Sequence, residues 1–336
     1  MTDTTPLVTI NCCTFNQSKY IKKCLDGFVM QKTSFKFKAI VHDDASTDGT
    51  TDIVREYAEK YPDIIEPIIE KENVFIKRDG SLERIMNKAC NGKYVAFCEG
   101  DDYWIDPYKL QKQVDYMESH PDCVLCYGDF YKAEEGDFES RVENTKRYRK
   151  QNRNIPNSLE KLFYRILEGS IDAQTMTMMY RRSSFETIVP NKHTFMMGDI
   201  PLLLDLSQLG KLHFIDERLA VYNIHQGSAC RTPETRLRFT LSSYEMRVYY
   251  CVKYGYKTPF YIKWRYNRAY NKIMAIKGKV APMPIYELFF LKNILYKKHA
   301  SLIKDSAKYR SFYLKVINPF VSLIESAIYK MKHLYK

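Results

Sequence analysis

Short apolar runs alternate with helical periodicities over roughly the first two hundred residues. Leu7 to Cys13 is apolar, opens after Pro6 and reads as a first strand. Ile21, Cys24, Leu25, Phe28 and Val29 then recur at helical spacing. Phe37 to His42 is a second strand, and Ile53, Val54, Tyr57 and Ala58 mark a helix that Pro62 ends. A third strand is expected over Ile64 to Ile69, a charged loop over Lys71 to Ser81, and a helix leading to Gly92. Val95 to Cys98 reads as a buried strand, Leu110, Val114 and Met117 as a helix, and Cys123 to Tyr127 as another strand. Residues 132–160 are polar and charged and read as a mobile insertion. Order is expected to return near Ser170, with a methionine-rich strand from Met176 to Tyr180. A helix starts near Asp199, because Pro201 suits an early helical position, and runs through Leu203, Leu206 and Leu209. Two short strands follow, Lys211 to Phe214 and Leu219 to Tyr222. This alternation predicts an α/β protein with βαβ units and a mainly parallel sheet, whose ligands gather beyond the carboxyl ends of the strands. The loop after the first strand, Thr14 to Ser18, has no glycine, which disfavours a dinucleotide-binding sheet.

Composition adds a division of the chain. Its 336 residues, 45% hydrophobic, suffice for one large domain with an appendage. The net charge of +12 is uneven: residues 231–336 carry +17 and residues 1–230 carry −5. A boundary near residue 230 is therefore expected, with a basic, aromatic, helical region after it. Such a region suits a polyanionic surface, anionic lipid or nucleic acid. Phe320, Val321, Leu323, Ile324, Ala327 and Ile328 follow helical spacing beside Lys330, Lys332 and Lys336. This basic amphipathic helix either lies in a membrane interface or packs on the domain. There is no apolar run of about 18 residues, and Met1 to Pro6 lacks the regions of a signal peptide. A cytoplasmic protein, soluble or peripheral on the inner membrane face, is expected. The nine cysteines lie mostly in apolar runs and read as reduced core residues, not as disulfides or zinc ligands.

The chemistry concentrates at three strand ends. Glu99-Gly100-Asp101-Asp102 puts three carboxylates after the strand Val95 to Cys98. Burying them unpaired would be very costly, so they face solvent, as an acidic turn, or a hard cation. Asp43-Asp44 ends the second strand, and Cys13-Thr14-Phe15-Asn16 the first. With Asp43-Asp44-Ala45-Ser46-Thr47-Asp48-Gly49-Thr50, Glu99-Gly100-Asp101-Asp102-Tyr103-Trp104 and Pro107, then Gly198-Asp199, and Ala220-Val221-Tyr222 with His225 and Ser228, the order of features over residues 6–230 resembles glycosyltransferase family 2.

That resemblance implies a GT-A domain over residues 1–230 and a metal-dependent, inverting transferase. The donor would be a nucleoside-diphosphate sugar, a UDP-sugar first, and the acceptor a hydroxyl of a glycan or lipid-linked glycan. Bacterial surface polysaccharide synthesis would be the setting, with no nucleic acid as partner. The resemblance gives Asp44 the contact to the base, Phe15 a stacking role and Cys13 backbone contacts only. Asp102 becomes the direct ligand of Mn²⁺ or Mg²⁺, Asp101 a contact to ribose or sugar or a ligand through water, and His225 a further metal ligand. Arg78 or Arg84 would reach the diphosphate, as would Ser228 and Arg231, and Trp104 would stand half in the core and half in the wall of the sugar pocket. Asp199 is the expected general base, since an acceptor hydroxyl must lose its proton as it attacks; Asp172 and Gln174 fall where sugar contacts are plausible. Glu99 receives no role. Two other classes stay open. A sugar-nucleotide-forming nucleotidyltransferase would need a glycine-rich basic loop after the first strand, and a binding protein would use only the basic region.

Overall fold

The computed structural model describes residues 5–269 apart from 78, 144–145, 190–194, 226–232, 264 and 267–268. Arg78, Ser228, Arg231 and the amphipathic segment 320–336 lie outside the described residues. The chain divides into two compact units, Met1–Pro259 and Phe260–Lys336.

The first unit begins with β1 (Val8–Thr14), α1 (Ile21–Val29), β2 (Phe37–Asp43), α2 (Thr50–Lys60) and β3 (Ile65–Ile69). A 3-10 turn at Phe75–Lys77, α3 (Ser81–Ala89), β4 (Tyr94–Phe97), β5 (Tyr103–Trp104) and α4 (Lys109–Ser119) follow. Then come β6 (Cys123–Glu134), β7 (Asp137–Glu143), α5 (Lys146–Arg153) and α6 (Leu159–Leu167). A 3-10 turn at Thr175–Thr177, β8 (Met179–Arg181), α7 (Arg182–Glu186), α8 (Asp199–Leu206), β9 (Lys211–Ile224) and α9 (Pro233–Lys253) complete it. Among the described residues, strands run across one sheet in the order β3-β2-β1-β4-β8-β6-β9-β5, with β7 on the free side of β6. β3, β2, β1 and β4 are parallel. The other half is mixed: β8 is antiparallel to β4 and β6, and β5 to β9, while β6 and β9 run parallel.

The parallel strands are covered on both faces, which explains their nearly unbroken apolar sequence. Val8, Ile10, Cys12, Ala39 and Val41 are fully buried, and α1 adds Ile21, Cys24, Leu25 and Phe28 to the same core. The eight described cysteines are all free, and all but Cys13 are buried. Cys24 Sγ lies 4.0 Å from Cys12 Sγ and donates to the Glu99 carbonyl at 3.4 Å, so thiols floor the acidic loop. No helix of the described residues is long and apolar enough to cross a membrane.

Three expectations need correction. Residues 132–160 are not a mobile insertion: within them the β6–β7 hairpin and α5 form, and α6 starts at Leu159. β7 is largely exposed, so its polar composition records a solvated ribbon and not a lack of structure. The two short strands of 211–222 are one, β9, whose polar Asp216-Glu217-Arg218 marks a register irregularity against β6. Residues 176–180 split into a 3-10 turn and the short β8.

Trp104 is core, 2% exposed. Its indole N–H donates to the Met176 carbonyl at 2.7 Å, and Phe28 meets its ring edge-on. Beneath it lies Lys109, fully buried, with Nζ 4.1 Å from the Trp104 ring centre and donating to Gln113 Oε1 at 2.8 Å. Gln113 Nε2 in turn donates to the carbonyls of Cys126 and Thr177.

Candidate active site

The carboxyl ends of β1, β2 and β4 lie side by side, and backbone hydrogen bonds join the loops that leave them. Asp44 N–H donates to the Thr14 carbonyl, Cys98 N–H to Asn11 and Gly100 N–H to Cys13, at 3.0–3.2 Å. Gly100 is required by this approach: a Cβ there would stand 2.5 Å from Gln17 Oε1 and 2.6 Å from Thr14 Oγ1. Gly100→Ala is therefore expected to cost about 1–3 kcal/mol of stability by pushing the acidic loop off β1; an unchanged urea midpoint would contradict this.

The loop after β2 is tied to the loop after β1 by Asn16, Asp48 and Thr50. Asn16 N–H donates to Ser46 Oγ, Gln17 N–H to Thr50 Oγ1 and Ser18 N–H to Asp48 Oδ2. Partial burial raises the Asp48 pKa, but the Thr50 hydroxyl and the N–H groups of Ser18 and Thr50 outweigh it and hold it at about 2. Asp43 is occupied by Ser46 and Thr51. Asp44 accepts from the backbone N–H of Val74 at 2.7 Å and of Phe75 at 3.1 Å, so it also orders the loop after β3. Phe15 projects from the loop after β1, 43% exposed. Cys13 offers this edge its carbonyl, through the Gly100 bond, while burial pushes its thiol pKa well up. Arg84 does not join the group: its guanidinium folds back onto the Asp79 carbonyl and Ser81 Oγ at the start of its own helix.

The paired aspartates point different ways. Asp101 Oδ2 lies 2.8 Å from His225 Nε2, just past the end of β9. Asp102 is 4% exposed, and its Oδ1 accepts the Asn223 backbone N–H at 2.7 Å, pinning the acidic loop to β9. Burial first, then the charges of Asp101 and Glu99, hold the Asp102 pKa far above the usual carboxylate range. Burial, then Asp101 and more weakly Asp199, pushes Glu99 up to about 7. Glu99 thus senses both the acidic loop and the start of α8.

Asp199 is the first residue of α8, after Gly198. Burial raises its pKa, while the Ile200 N–H and its own N–H, then the Arg247 charge, oppose the rise. α9 fixes the far end of α8: Asp205 accepts from Tyr250 Oη at 2.8 Å, Lys253 Nζ at 2.6 Å and Tyr254 Oη at 2.5 Å. Asp172 is reachable by solvent but walled in by protein, and this desolvation raises its pKa. Gln174 Nε2, bonded to its Oδ1 at 2.8 Å, and Lys132 oppose the rise, and Asp199 adds to it. Charge links Glu99 to Asp101 and to Asp199, and Asp172 to Asp199, so these carboxylates make one acidic site. Tyr20, which meets His225, Asn223, which holds Asp102, and the β6–β7 turn, which binds Asn223, carry no motif. The one hint was an aromatic residue directly before α1.

A parallel half-sheet with nucleotide-type loops at its carboxyl edge, extended by a mixed half that supplies a helix-borne carboxylate, is the GT-A architecture. The sequence model described as "Glycosyl transferase family 2" matches residues 9–189, and the chain belongs to that family. An uncharacterized protein of Mycobacterium tuberculosis, Rv1520, is 44% identical over 113 residues, 34% of this chain and 32% of that protein. The putative teichuronic acid biosynthesis glycosyltransferase TuaG of Bacillus subtilis is 35% identical over 119 residues, 35% of this chain and 44% of its own. The match thus spans only a third of the length of the mycobacterial relative. Among solved structures, S. aureus TarS 1-349 in complex with UDP-GlcNAc superposes with a TM-score of 0.55 at 16% identity, covering 81% of this chain and 76% of that one. The mannosyltransferase PcManGT from Pyrobaculum calidifontis, in complex with GDP-Man and Mn2+, gives 0.53 at 15% identity, over 91% and 85%. These two likenesses are of fold.

Proposed function

We propose that this chain is an inverting glycosyltransferase that moves a sugar from a nucleoside-diphosphate sugar, a UDP-sugar first, to a hydroxyl of a glycan or lipid-linked glycan. The observation that carries this reading is the meeting of Asp101 and His225 at 2.8 Å, within electrostatic reach of an acidic group that also senses Asp199. A relative named as a putative teichuronic acid biosynthesis glycosyltransferase, and a fold shared with proteins solved with UDP-GlcNAc and GDP-Man, support the donor class and a setting in surface polysaccharide synthesis.

The residues fit a divalent cation that the donor itself helps to hold. Among the described residues no three ligating side chains converge. Mg²⁺ and Mn²⁺ need no closed protein cage when a diphosphate supplies oxygens, and one carboxylate with one imidazole suits Mn²⁺. On this reading Asp101 and His225 hold the cation. Asp102, which the resemblance gives as the direct ligand, also anchors the loop, its Oδ1 accepting the Asn223 N–H. Once bound, the cation offsets the charge that develops on the departing nucleoside diphosphate. Asp44 accepts from the base or ribose and Phe15 stacks on the base. Asp199 takes the acceptor proton as the new bond forms, and Asp172 with Gln174 orients sugar hydroxyls. The basic region after residue 230 would bring the enzyme to an anionic membrane face, where lipid-linked acceptors reside.

A donor screen tests the reading. Purified protein is given Mn²⁺ or Mg²⁺ and a panel of UDP-, GDP- and dTDP-sugars, and released nucleotide is measured. Turnover with a UDP-sugar that stops on chelation is expected. The absence of metal-dependent turnover or binding with every donor, across plausible acceptors, would end the enzyme assignment.

A further inference from the structure

We propose that Tyr20, held by the β6–β7 turn, is a positioning residue that fixes the heading of the His225 imidazole. The inference rests on the reading of Asp101 and His225 given above.

The Tyr20 ring lies against His225, with centroids 4.7 Å apart and planes tilted by 40°. His225 is buried and its Nε2 faces Asp101. One ring face and one nitrogen are therefore fixed by different elements, α1 and the acidic loop. Tyr20 is itself fixed at its phenol end, where its hydroxyl donates to Glu135 Oε2 at 2.9 Å. The same carboxylate oxygen takes Lys19 Nζ at 3.1 Å, and Lys23 Nζ donates to the Gly136 carbonyl at 2.5 Å. Lys19 and Tyr20, just before α1, and Lys23, in its first turn, thus grip a two-residue turn. Glu135 and Gly136 both adopt left-handed backbone, φ 50° and 77°, which turns the carboxylate and the carbonyl toward α1.

The turn also reaches β9. Gly136 N–H donates to Asn223 Oδ1 at 2.6 Å, while the Asn223 backbone N–H holds Asp102. The contacts close a circuit: acidic loop, His225, Tyr20, the turn, Asn223, and back to the acidic loop. An imidazole ligand works only with its free nitrogen correctly aimed, and the groups that aim it commonly affect metal affinity by 10–100-fold. The hydroxyl of Tyr20 is committed to Glu135, so the ring face is what serves His225. Gly136 stands close to that ring: a Cβ there would lie 3.3 Å from Tyr20 Cδ1.

The test uses the full chain with Tyr20→Leu, Tyr20→Phe, Gly136→Ala and His225→Ala, with Mn²⁺ and UDP as probes. Mn²⁺ affinity in the presence of UDP is read from the electron paramagnetic resonance of free Mn²⁺, and thermal unfolding is read without metal. Tyr20→Leu is expected to weaken Mn²⁺ about tenfold, to raise the Mn²⁺ concentration for half-activation similarly, and to change kcat less. Tyr20→Phe keeps the ring face and is expected to stay within about threefold of wild type. If His225→Ala weakens Mn²⁺ while folded Tyr20→Leu binds it like wild type, the positioning role is overturned and the cation reading stands. If His225→Ala binds Mn²⁺ unchanged, the role of His225 falls and the inference with it. Should Tyr20→Leu unfold, Gly136→Ala decides, since it keeps Tyr20 but crowds its ring: unchanged affinity overturns the proposal, and a several-fold loss upholds it.

Discussion

Asp199→Asn is expected to lower kcat by about 10²–10⁴-fold while leaving donor affinity nearly unchanged. The amide keeps the size and hydrogen-bonding shape of the side chain but cannot take a proton. Burial raises the Asp199 pKa, and only the ionised form can act as base, so the sign follows. In the wild type kcat/KM climbs with pH as Asp199 deprotonates, and burial shifts this climb upward from that of a free aspartate. The Arg247 charge limits the rise. In the variant that limb of the profile disappears. Nucleotide release followed across pH, with donor binding measured separately, checks both parts; near-wild-type turnover would remove Asp199 from the mechanism.

Lys109→Met is expected to stabilise the protein near pH 6 and to have little benefit near pH 9.5. Burial lowers the Lys109 pKa from 10.5 to about 7. The folded state therefore releases the proton before the unfolded state does, and between about 7 and 10.5 the unfolded chain binds more protons. Stability rises with pH through that window, and below it the full penalty for the buried charge is present. The shift corresponds to about 4–5 kcal/mol. Loss of the Gln113 hydrogen bond and the Trp104 contact takes back about 2 kcal/mol. A net gain of about 2 kcal/mol at pH 6 remains, a few degrees in Tm for a domain this size. Denaturant midpoints at the two pH values measure it. A loss of stability at pH 6 as large as that at pH 9.5 would show that Lys109 is not held at a cost.

The parallel half of the sheet was legible because burial on both faces leaves unbroken apolar strands. β1, β2, β3 and β4 and the helices between them fall where periodicity puts them. The mixed half was not legible to the same degree. β7 carries mostly polar side chains because water reaches them, and a solvated ribbon resembles a loop in composition. α6 does show apolar residues at helical spacing, Leu162, Phe163, Ile166 and Leu167, but the polar stretch before it hid its start. The site itself could be assembled from element ends, since Asp44, the acidic loop, Asp199 and His225 each follow or open an element. What a linear pattern does not encode is which of two adjacent aspartates turns outward. That depends on Asn223, 121 residues beyond Asp102, whose backbone N–H takes the inner one. Tyr20 was invisible for the same reason: its meaning lies in a turn 115 residues away.

β9 sets the phase of the whole site. It advances from Ile215 to Ala220 while β6 advances only from Gly128 to Phe130, so β9 carries three extra residues across that step. An odd insertion exchanges the two faces of everything downstream, because side chains alternate with period 2. The Asn223 N–H and the His225 ring meet the acidic loop because of that count, although the irregularity lies several residues upstream. Loss or gain of one residue among Asp216, Glu217 and Arg218, unless the strand slips to absorb it, would turn both away from Asp101 and Asp102. The stretch with the plainest polar sequence in the strand thus works as an index mark, fixing the parity with which β9 meets the acidic loop.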